Sequence, residues 1–537
     1  MGQFDKAAAS LEKGLILARE IKYAEVEAGA LTNLMILWQK RKQPRLAAFY
    51  GKQAVNVFQA IRGSNRNLDK EAQKSFLQSN EKTYRGLADL LIAQGRLIEA
   101  QQILDMLKEE EFYGFVRRDA SEIEKLSQRA DLTQDESAAL KRYQTISDRV
   151  SQIGLEFGKL QDKRNQLPEG EKLSTEDQKR FDELAKQLED ATAAFQVFLR
   201  GLAEEFTKKP KVVEEIQENT GLQADLKTWG SVIVALYTVV GDDRYRVILT
   251  TPDAQIDGKT EISAEDLNAK IAEFRQAVQN PNVDPRPLGK ELYDILIKPI
   301  EKQLSDAKAK TLLWSLDGTL RYLPLAALWD GKEYFGQKYE NVVITLASRT
   351  RLSESVSADW RVLGLGVTDA KTVLEPNGTD RINFNALPAV RNELKAIVSD
   401  EATKENTNGV LPGTVLLNES FTEAALKDKL GKGYKVIHIA SHFSFRPGNE
   451  TKSFLLLGDG NALSLLKVRT SPLLKFKGVE LLTLSACHWN CPNRLPIKSW
   501  LICSVSLRLP GRLLILRFPM RRKTDSKIYF IETAKKN

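Results

Sequence analysis

The sequence predicts a multidomain protein of α plus α/β class, with a helical N-terminal part and a C-terminal domain built around a largely parallel sheet. Three observations indicate this. The 537 residues exceed what a single hydrophobic core usually supports. Apolar residues recur at helical spacing through roughly the first 225 positions. From Trp229 onward β-rich runs appear, and from position 361 they alternate with helical segments.

Composition and hydropathy favour a soluble protein. Hydrophobic residues make up 42% of the chain and charged residues 28%, as in typical globular domains. No apolar stretch approaches the roughly 20 residues that span a bilayer. The N-terminus also lacks the basic segment and apolar core of a signal peptide. We therefore expect a cytoplasmic protein without a membrane partner.

The formal net charge of +8 is concentrated in the last fifty residues. Residues 488–537 contain eleven Lys or Arg and two Asp or Glu, so the preceding 487 residues are close to neutral. A basic protein often binds nucleic acid. Because the charge is confined to one terminal segment, nucleic-acid binding through that segment is the weakest of the functions that we consider.

Residues 1–118 have the pattern of paired helices in a repeat protein. The positions at which tetratricopeptide repeats carry their packing residues are occupied by Tyr84, Leu87, Ala88, Leu91, Gly95 and Ala100. Two earlier segments match in part, at Ala47, Tyr50 and Ala54 and at Phe4, Ala7 and Leu11. We expect degenerate tetratricopeptide-like repeats that bind protein partners and begin in mid-repeat, as after an N-terminal truncation. A generic helical bundle is the alternative.

Residues 119–225 form a predicted connector, a long helical hairpin. Thr133 and Glu136 have the spacing of a capping box at the start of its first helix. The run 167–170, Leu-Pro-Glu-Gly, breaks the pattern, and a second helix begins near Ser174. Both helices carry apolar residues at alternating spacings of three and four, which favours an antiparallel coiled coil. Their charged faces are expected to be solvated, with a nucleic-acid surface as the alternative.

Residues 226–487 form the predicted α/β domain. Two β-rich runs flank the turn Gly241–Asp243, which indicates a hairpin. Continuous apolar runs separated by helical segments then indicate parallel strands that are buried on both faces. Strands are expected at 312–316, 342–346, 362–367, 414–417, 436–440 and 479–484, and helices at 263–279, at 288–304, from 387 and at 421–430.

All cysteines and histidines lie within one segment of 66 residues: His438, His442, Cys487, His488, Cys491 and Cys503. Three cysteines are too few for a disulfide framework. The strand at 436–440 leads to His442, and the strand at 479–484 leads to Cys487. If these strands are neighbours, both side chains emerge at one edge of the sheet. An imidazole beside a thiol promotes the reactive thiolate, so the pattern predicts nucleophilic chemistry.

Several ordered motifs resemble one family. The runs 438–443, His-Ile-Ala-Ser-His-Phe, and 481–487, Leu-Leu-Thr-Leu-Ser-Ala-Cys, are similar to those of the CHAT domain. Further matches lie at 316–324, at 387–390 and at 454–459. The CHAT domain is a caspase-like cysteine-peptidase module that commonly accompanies tetratricopeptide repeats. The resemblance implies a caspase-like fold over roughly the whole α/β domain.

The resemblance also implies roles for individual residues. By position, His442 is the general base and Cys487 the nucleophile in peptide-bond hydrolysis of a protein substrate, with no cofactor or metal. The expected oxyanion donors are the backbone N–H groups of Cys487 and Phe443, although many caspase relatives have glycine in the place of Phe443. The candidate pocket residues are Asp369, Asp459 and Ser485.

The cysteine and the polar residues have alternative interpretations. Cysteines are often buried and inert, so an inert core cysteine is the alternative interpretation of Cys487. A zinc site is a further alternative, with the ligands His442, Cys487, His488 and Cys491. Asp369 and Asp459 also fit solvated loop carboxylates. His438 lies within its strand, so we expect a core histidine or one that supports the site.

The specificity of cleavage does not follow from the sequence. Relatives that cleave after basic residues often carry Asp two places before the cysteine, and this chain has Ser485 there.

Residues 488–537 depart from the family pattern. Relatives continue with a helix and another core strand, whereas this segment is rich in Leu, Arg and Pro. We interpret it as an aberrant basic tail, translated out of frame. A sheet strand and part of the pocket would then be missing, and the sheet edge would be exposed. A catalytically impaired protein-interaction scaffold is therefore the alternative function.

Overall fold

The structure is a computed structural model of the chain. It describes residues 2–64, 70–115, 129–168, 171–208, 220–280, 282–344, 359–376, 381–400, 409–444, 446, 450–474, 476 and 478–485, and the strand segments 504–508, 516–517 and 529–530.

Helices dominate the N-terminal part. They are α1 (Gly2–Glu20), α2 (Ala24–Lys40), α3 (Pro44–Ser64), α4 (Lys70–Ala93), α5 (Leu97–Phe115), α6 (Gln134–Asn165), α7 (Thr175–Lys208) and α8 (Thr220–Trp229).

Strands and short helices alternate after Trp229. The first group is β1 (Ile233–Val240), β2 (Arg244–Thr250), β3 (Gln255–Glu261), α9 (Ala264–Gln279), α10 (Arg286–Leu296), α11 (Glu301–Asp306), β4 (Thr311–Ser315), α12 (Phe335–Lys338) and β5 (Glu340–Val343). The second group is β6 (Val362–Gly366), β7 (Lys371–Leu374), β8 (Arg381–Phe384), α13 (Val390–Ile397), β9 (Val398–Asp400), β10 (Leu411–Leu417), α14 (Glu423–Leu430), β11 (Val436–Ala440), β12 (Phe443–Ser444), β13 (Phe454–Leu456), β14 (Ala462–Ser464), α15 (Leu465–Thr470) and β15 (Leu481–Ser485). The last three strands are β16 (Ser504–Arg508), β17 (Leu516–Arg517) and β18 (Tyr529–Phe530).

The chain divides into two compact units. The first unit contains Met1–Thr228 and Tyr237–Ala264, and the second contains Trp229–Leu236 and Glu265–Asn537. In the first unit the second half of β1 lies beside β2, and β2 lies beside β3. In the second unit β4 pairs in parallel with β5.

The helices of the first unit pack as pairs, α2 against α3 and α4 against α5. The residues expected to pack between helices are buried: Ala47, Tyr50, Ala54, Tyr84, Leu87, Ala88, Leu91 and Ala100. Gly95 has φ +74°, a left-handed conformation that glycine adopts without strain in the turn before α5. The first helix differs from the expectation, because Phe4 and Ala7 are exposed and α1 instead buries a face containing Leu15 and Ile16.

The predicted helical hairpin is α6 with α7. Thr133 caps α6 and forms the expected capping box with Glu136. The Tyr143 and Phe195 rings pack edge to face across the hairpin, with centroids 5.2 Å apart. The hairpin also contacts α1, where Ser151 donates a 2.6 Å hydrogen bond to the carbonyl oxygen of Arg19. The hairpin therefore covers part of the helical array.

An ion cluster is buried at the start of α6. The side chains of Lys52, Glu99 and Glu136 are exposed by 1%, 4% and 2%. Lys52 Nζ contacts both carboxylates and donates to the carbonyl oxygen of Asp131 at 2.6 Å. Arg96 binds the same two carboxylates at 2.6 and 2.7 Å. Charges removed from water in this way need partners, and here each has at least two.

A six-stranded sheet forms the centre of the second unit, in the order β16-β15-β11-β6-β10-β9. The strands from β15 to β9 pair in parallel. Because side chains alternate along a strand, the two faces bury different residues. Val436 and Ala440 of β11 face α13, whereas Ile437 and Ile439 lie in the cluster that contains α14. The prediction of an α/β sheet domain is confirmed at this level.

The tail contributes to this sheet. β16 pairs antiparallel along β15, with Leu481 opposite Arg508 and Ser485 opposite Ser504. The expectation that this edge of the sheet is left exposed is therefore wrong, because β15 has a strand on each side. The interpretation of the tail as out-of-frame sequence stays a prediction.

No helix among the described residues is long and apolar enough to cross a membrane.

Candidate active site

The site lies at the carboxyl edge of the six-stranded sheet, where β11 and β15 end. These strands are neighbours and pair in parallel, with Ala440 opposite Ser485. The pairing continues beyond the strands, because the Ser441 N–H donates to the Ser485 carbonyl oxygen at 3.2 Å. His442 follows β11 by two residues, and Cys487 follows β15 by two residues. The predicted adjacency of the two strands is confirmed.

Cys487 itself lies outside the described residues, as do His488, Cys491 and Cys503. The structure therefore gives the setting of His442 directly and that of Cys487 only up to Ser485.

His442 is held by the segment that follows β8. The side chain is buried, with 4% of the residue exposed. Its Nε2 lies 2.7 Å from the carbonyl oxygen of Asn385. The Phe384 ring packs against the imidazole at a centroid distance of 4.9 Å, and Phe454 packs edge to face on Phe384. The ring of His442 is thus fixed from one side by a hydrogen bond and an aromatic contact.

The partner of Nε2 determines the tautomer of His442. A carbonyl oxygen only accepts hydrogen bonds, so the proton of the neutral imidazole lies on Nε2. Nδ1 is then the unprotonated, basic nitrogen. When the imidazole is protonated, the Asn385 carbonyl still accepts from Nε2. The arrangement suits a general base that acts through Nδ1.

The backbone around His442 is anchored by β13. The Leu456 N–H donates to the His442 carbonyl oxygen at 2.9 Å, and Ser441 Oγ donates to the Leu456 carbonyl oxygen at 2.7 Å. Phe443 is opposite Leu455 in the same antiparallel ladder. Hydrogen-bonded and non-hydrogen-bonded pairs alternate in such a ladder, so the Phe443 N–H points away from β13. This orientation is compatible with an oxyanion donor.

The three candidate pocket residues lie at this end of the domain but in different settings. Asp369 is exposed after β6, and Oδ1 accepts a 2.9 Å hydrogen bond from Thr368 Oγ1. Both carboxylate oxygens of Asp459 bind Asn461 within their own turn. Ser485 is half-buried at the end of β15. Ser485 is opposite Ala440, two residues before His442.

His438 lies four residues before His442, inside β11, and is buried as predicted, with 8% exposed. Its Nδ1 lies 2.6 Å from Thr483 Oγ1 on β15, and its Nε2 lies 2.9 Å from Glu393 Oε1 on α13. It is therefore a buried polar residue whose two ring nitrogens both have a partner.

Two of these contacts have no signal in the sequence, those of Asn385 and of Glu393. The β7–β8 hairpin has strands of four residues, which are too short for a periodic pattern to be recognised. The Asn385 contact uses a backbone carbonyl, which every residue type supplies. The link from Glu393 to His438 joins residues 45 positions apart and is equally invisible to local patterns.

No group of three or more His, Cys, Asp or Glu that could hold a metal ion occurs within the described part of the chain. Three of the four ligands of the zinc alternative, Cys487, His488 and Cys491, lie outside that part.

Comparison with protein families gives one match. Residues 286–490 match the CHAT domain. The match begins at the start of α10, includes the paired ends of β11 and β15, and extends over Cys487. A comparison with curated proteins gives no match.

Proposed function

We propose that the second unit is a caspase-like cysteine endopeptidase in which His442 and Cys487 form the catalytic pair. The observation that carries the proposal is the parallel register of β11 and β15, with Ala440 opposite Ser485. The match of residues 286–490 to the CHAT domain supports a peptidase module of this type.

The register limits how far the two side chains can be apart. His442 and Cys487 each follow a pair of opposed residues by two positions. Two residues of extended chain span at most about 7 Å. The two strands therefore end side by side at one edge of the sheet, each two residues before a member of the proposed pair. The proposal puts the Cys487 thiol within reach of the His442 imidazole, whose Nδ1 is the basic nitrogen.

The reaction follows from these groups. His442 Nδ1 takes the proton of Cys487 Sγ, and the thiolate attacks the carbonyl carbon of the scissile peptide bond. The imidazolium gives its proton to the leaving amine as the C–N bond breaks, which leaves a thioester on Cys487. Water then attacks the thioester carbonyl carbon while Nδ1 accepts its proton. The C–S bond breaks, the carboxylic product is released, and the imidazolium returns the proton to the Cys487 thiolate.

The negative charge on the carbonyl oxygen needs hydrogen-bond donors during both attacks. We propose the backbone N–H groups of Phe443 and Cys487, of which the Phe443 N–H is directed away from β13. Ser485 is the proposed pocket residue, since it ends β15 beside Ala440. A serine hydroxyl there provides no charge to bind a basic side chain.

The first unit is proposed to bind a protein partner through its paired helices. The buried packing positions of α2 to α5 support a tetratricopeptide-like arrangement. Recruitment of a substrate or of an activating protein is the role that this proposal gives to the helices.

Cleavage of a fluorogenic peptide mixture by the full-length protein tests the proposal. Cys487→Ala and His442→Ala should each abolish cleavage, whereas Cys491→Ser and Cys503→Ser, which change the other two thiols, should not. Equal cleavage by wild type and Cys487→Ala would overturn the proposal. No cleavage by wild type, with partner binding that is unchanged in Cys487→Ala, would instead establish the scaffold alternative.

A further inference from the structure

Three polar side chains form a continuous chain through the face of the sheet that packs on α13. Glu393 Oε1 lies 2.9 Å from His438 Nε2, and His438 Nδ1 lies 2.6 Å from Thr483 Oγ1. The residues belong to α13, β11 and β15, so three separate elements are joined by two hydrogen bonds.

The surroundings of this chain are apolar. The same face of the sheet buries Val362, Ile397, Val398, Val436 and Leu481. A polar group in such a place is costly unless its hydrogen bonds are satisfied, and both nitrogens of His438 have a partner. The arrangement resists sliding of one element past another, because any shift leaves a buried polar atom without its partner.

Two glycines allow α13 to lie close enough for the contact. Gly364 is opposite His438 in the register, and a Cβ on Gly364 would lie 2.9 Å from Val398 Cγ2 and 3.1 Å from Leu394 Cδ2. A Cβ on Gly366 would lie 2.7 Å from both Leu394 Cδ1 and Val390 Cγ1. Helix α13 therefore packs directly against the backbone of β6, which brings Glu393 next to His438.

The same segment of chain contacts both histidines. Asn385 binds His442 through its carbonyl oxygen, and Glu393, eight residues later, binds His438. Through His438 this segment is then tied to Thr483, which is four residues before Cys487. The position of His442 and the position of the strand that leads to Cys487 are thereby set by one stretch of chain, residues 385–393.

We propose that Glu393, His438 and Thr483 are positioning residues, a clamp that fixes the end of β15 relative to His442 so that Cys487 is activated. The clamp touches neither substrate nor the reacting atoms. It rests on the proposed function, because it acts through the His442–Cys487 pair.

The test measures how fast iodoacetamide alkylates Cys487 in full-length protein that carries Cys491→Ser and Cys503→Ser, so that one thiol reports. Thr483→Val keeps the shape of the side chain but removes the hydroxyl. We expect the rate at neutral pH to fall by about tenfold or more, since a misplacement of about 1 Å can cost roughly a hundredfold. Thr483→Ser restores the hydroxyl and should restore the rate.

A matched control separates positioning from loss of stability. Thr414 on β10 also uses its hydroxyl, with Tyr434 Oη at 2.9 Å, but has no link to His438. Cys487 in the Thr414→Val variant should be alkylated at the wild-type rate. All rates are taken well below the melting temperature of each variant, which is measured separately.

Two further variants test the order of the chain. The amide of Asn reaches the place of Nδ1, and that of Gln the place of Nε2. His438→Asn therefore keeps the bond to Thr483 and loses Glu393, while His438→Gln does the reverse. Since the clamp needs both hydrogen bonds, Cys487 should be alkylated more slowly in each of these two variants than in the wild type.

The outcomes distinguish this inference from the proposed function. If His442→Ala leaves the alkylation rate unchanged, the catalytic pair is overturned and the clamp with it. If the rate depends on His442 but Thr483→Val equals wild type, the clamp alone is overturned. Equal losses in Thr483→Val, Thr483→Ser and Thr414→Val would show a general effect on the sheet and would also overturn the clamp.

Discussion

Nε2 of His442 lies 2.7 Å from the carbonyl oxygen of Asn385, which reaches the histidine from the end of the β7–β8 hairpin. This contact places the proton on Nε2 and the basic lone pair on Nδ1. A short hairpin outside the main sheet therefore determines which nitrogen of His442 carries the basic lone pair.

Phe384 holds the imidazole in that position. The residue is 2% exposed and contacts both His442 and Phe454. Phe384→Ala should lower the free energy of unfolding of the second unit by about 3–5 kcal/mol through the cavity that it leaves. Cys487 alkylation should slow as well, because the His442 ring gains freedom. Urea unfolding and alkylation rates measure the two effects.

The control for this change is Phe384→Leu, which keeps much of the apolar volume. It should lose less stability than Phe384→Ala and retain more of the alkylation rate. If Phe384→Ala alkylates at the wild-type rate, the ring does not orient His442.

Substitution of Gly364 by alanine tests the close packing of α13 on the sheet. Gly364→Ala should destabilise the protein by about 1–3 kcal/mol, because the new methyl group overpacks against Val398 and Leu394. Gly158→Ala on α6 is the control, since nothing lies within 4 Å of its Cβ position and alanine favours helix. A stabilising effect of Gly364→Ala in thermal unfolding would contradict the packing described.

Lys52 is the cation common to two buried carboxylates. Lys52→Met should cost about 3–5 kcal/mol of stability in the first unit, because Glu99 and Glu136 then share Arg96 alone. Lys163→Met is the control: Lys163 pairs with Asp177 at an exposed site, and its loss should not change unfolding measurably. Similar urea midpoints for the two variants would mean that the buried cluster is not stabilising.

The lowered pKa of Glu136 predicts how the free energy of unfolding depends on pH. Burial by itself raises the pKa of Glu136, but Lys52 and Arg96 outweigh it and hold the pKa below the ordinary value of 4.5. A carboxyl group with a depressed pKa contributes stability above its unfolded pKa, and this is lost as the pH falls through the folded pKa. The difference in unfolding free energy between wild type and Glu136→Gln should thus be full at neutral pH and shrink in acid.

The matched variant for the pH series is Glu156→Gln. Glu156 pairs with Arg180 on the surface, and its pKa is lowered mainly by that hydrogen bond. Surface pairs contribute little, so this variant should follow wild type at every pH. A gap between wild type and Glu136→Gln that stays constant into acid would show that ionisation of Glu136 does not stabilise the fold.

Strongly periodic or continuously apolar segments were predictable from the sequence. The strand expected at 436–440 is β11, and the capping box at Thr133 lies where the sequence places it. The helix expected at 288–304 is instead interrupted by a 3-10 turn at Lys298–Ile300, because Pro299 has no N–H to continue the helical hydrogen bonds. Pro299 is visible in the sequence, so this break was predictable from helix propensity.

The candidate site was predictable where it depends on strand ends. His442 follows a buried strand, and the register of that strand with β15 agrees with the expected neighbours. The partners of the histidines were not predictable. Asn385 acts through its backbone, and Glu393 meets His438 only because two glycines let α13 approach the sheet. Such contacts come from tertiary packing and leave no periodic pattern.

The dependence of Cys487 alkylation on pH, compared between wild type and His442→Ala, tests the central claim most directly. An imidazolium beside the sulfur favours the thiolate. The Cys487 thiol of the wild type should therefore react rapidly well below about pH 8.5, the ordinary pKa of a cysteine thiol. His442→Ala should react only as the pH approaches that value. Superimposable profiles for the two proteins would contradict the pairing of this imidazole with this thiol.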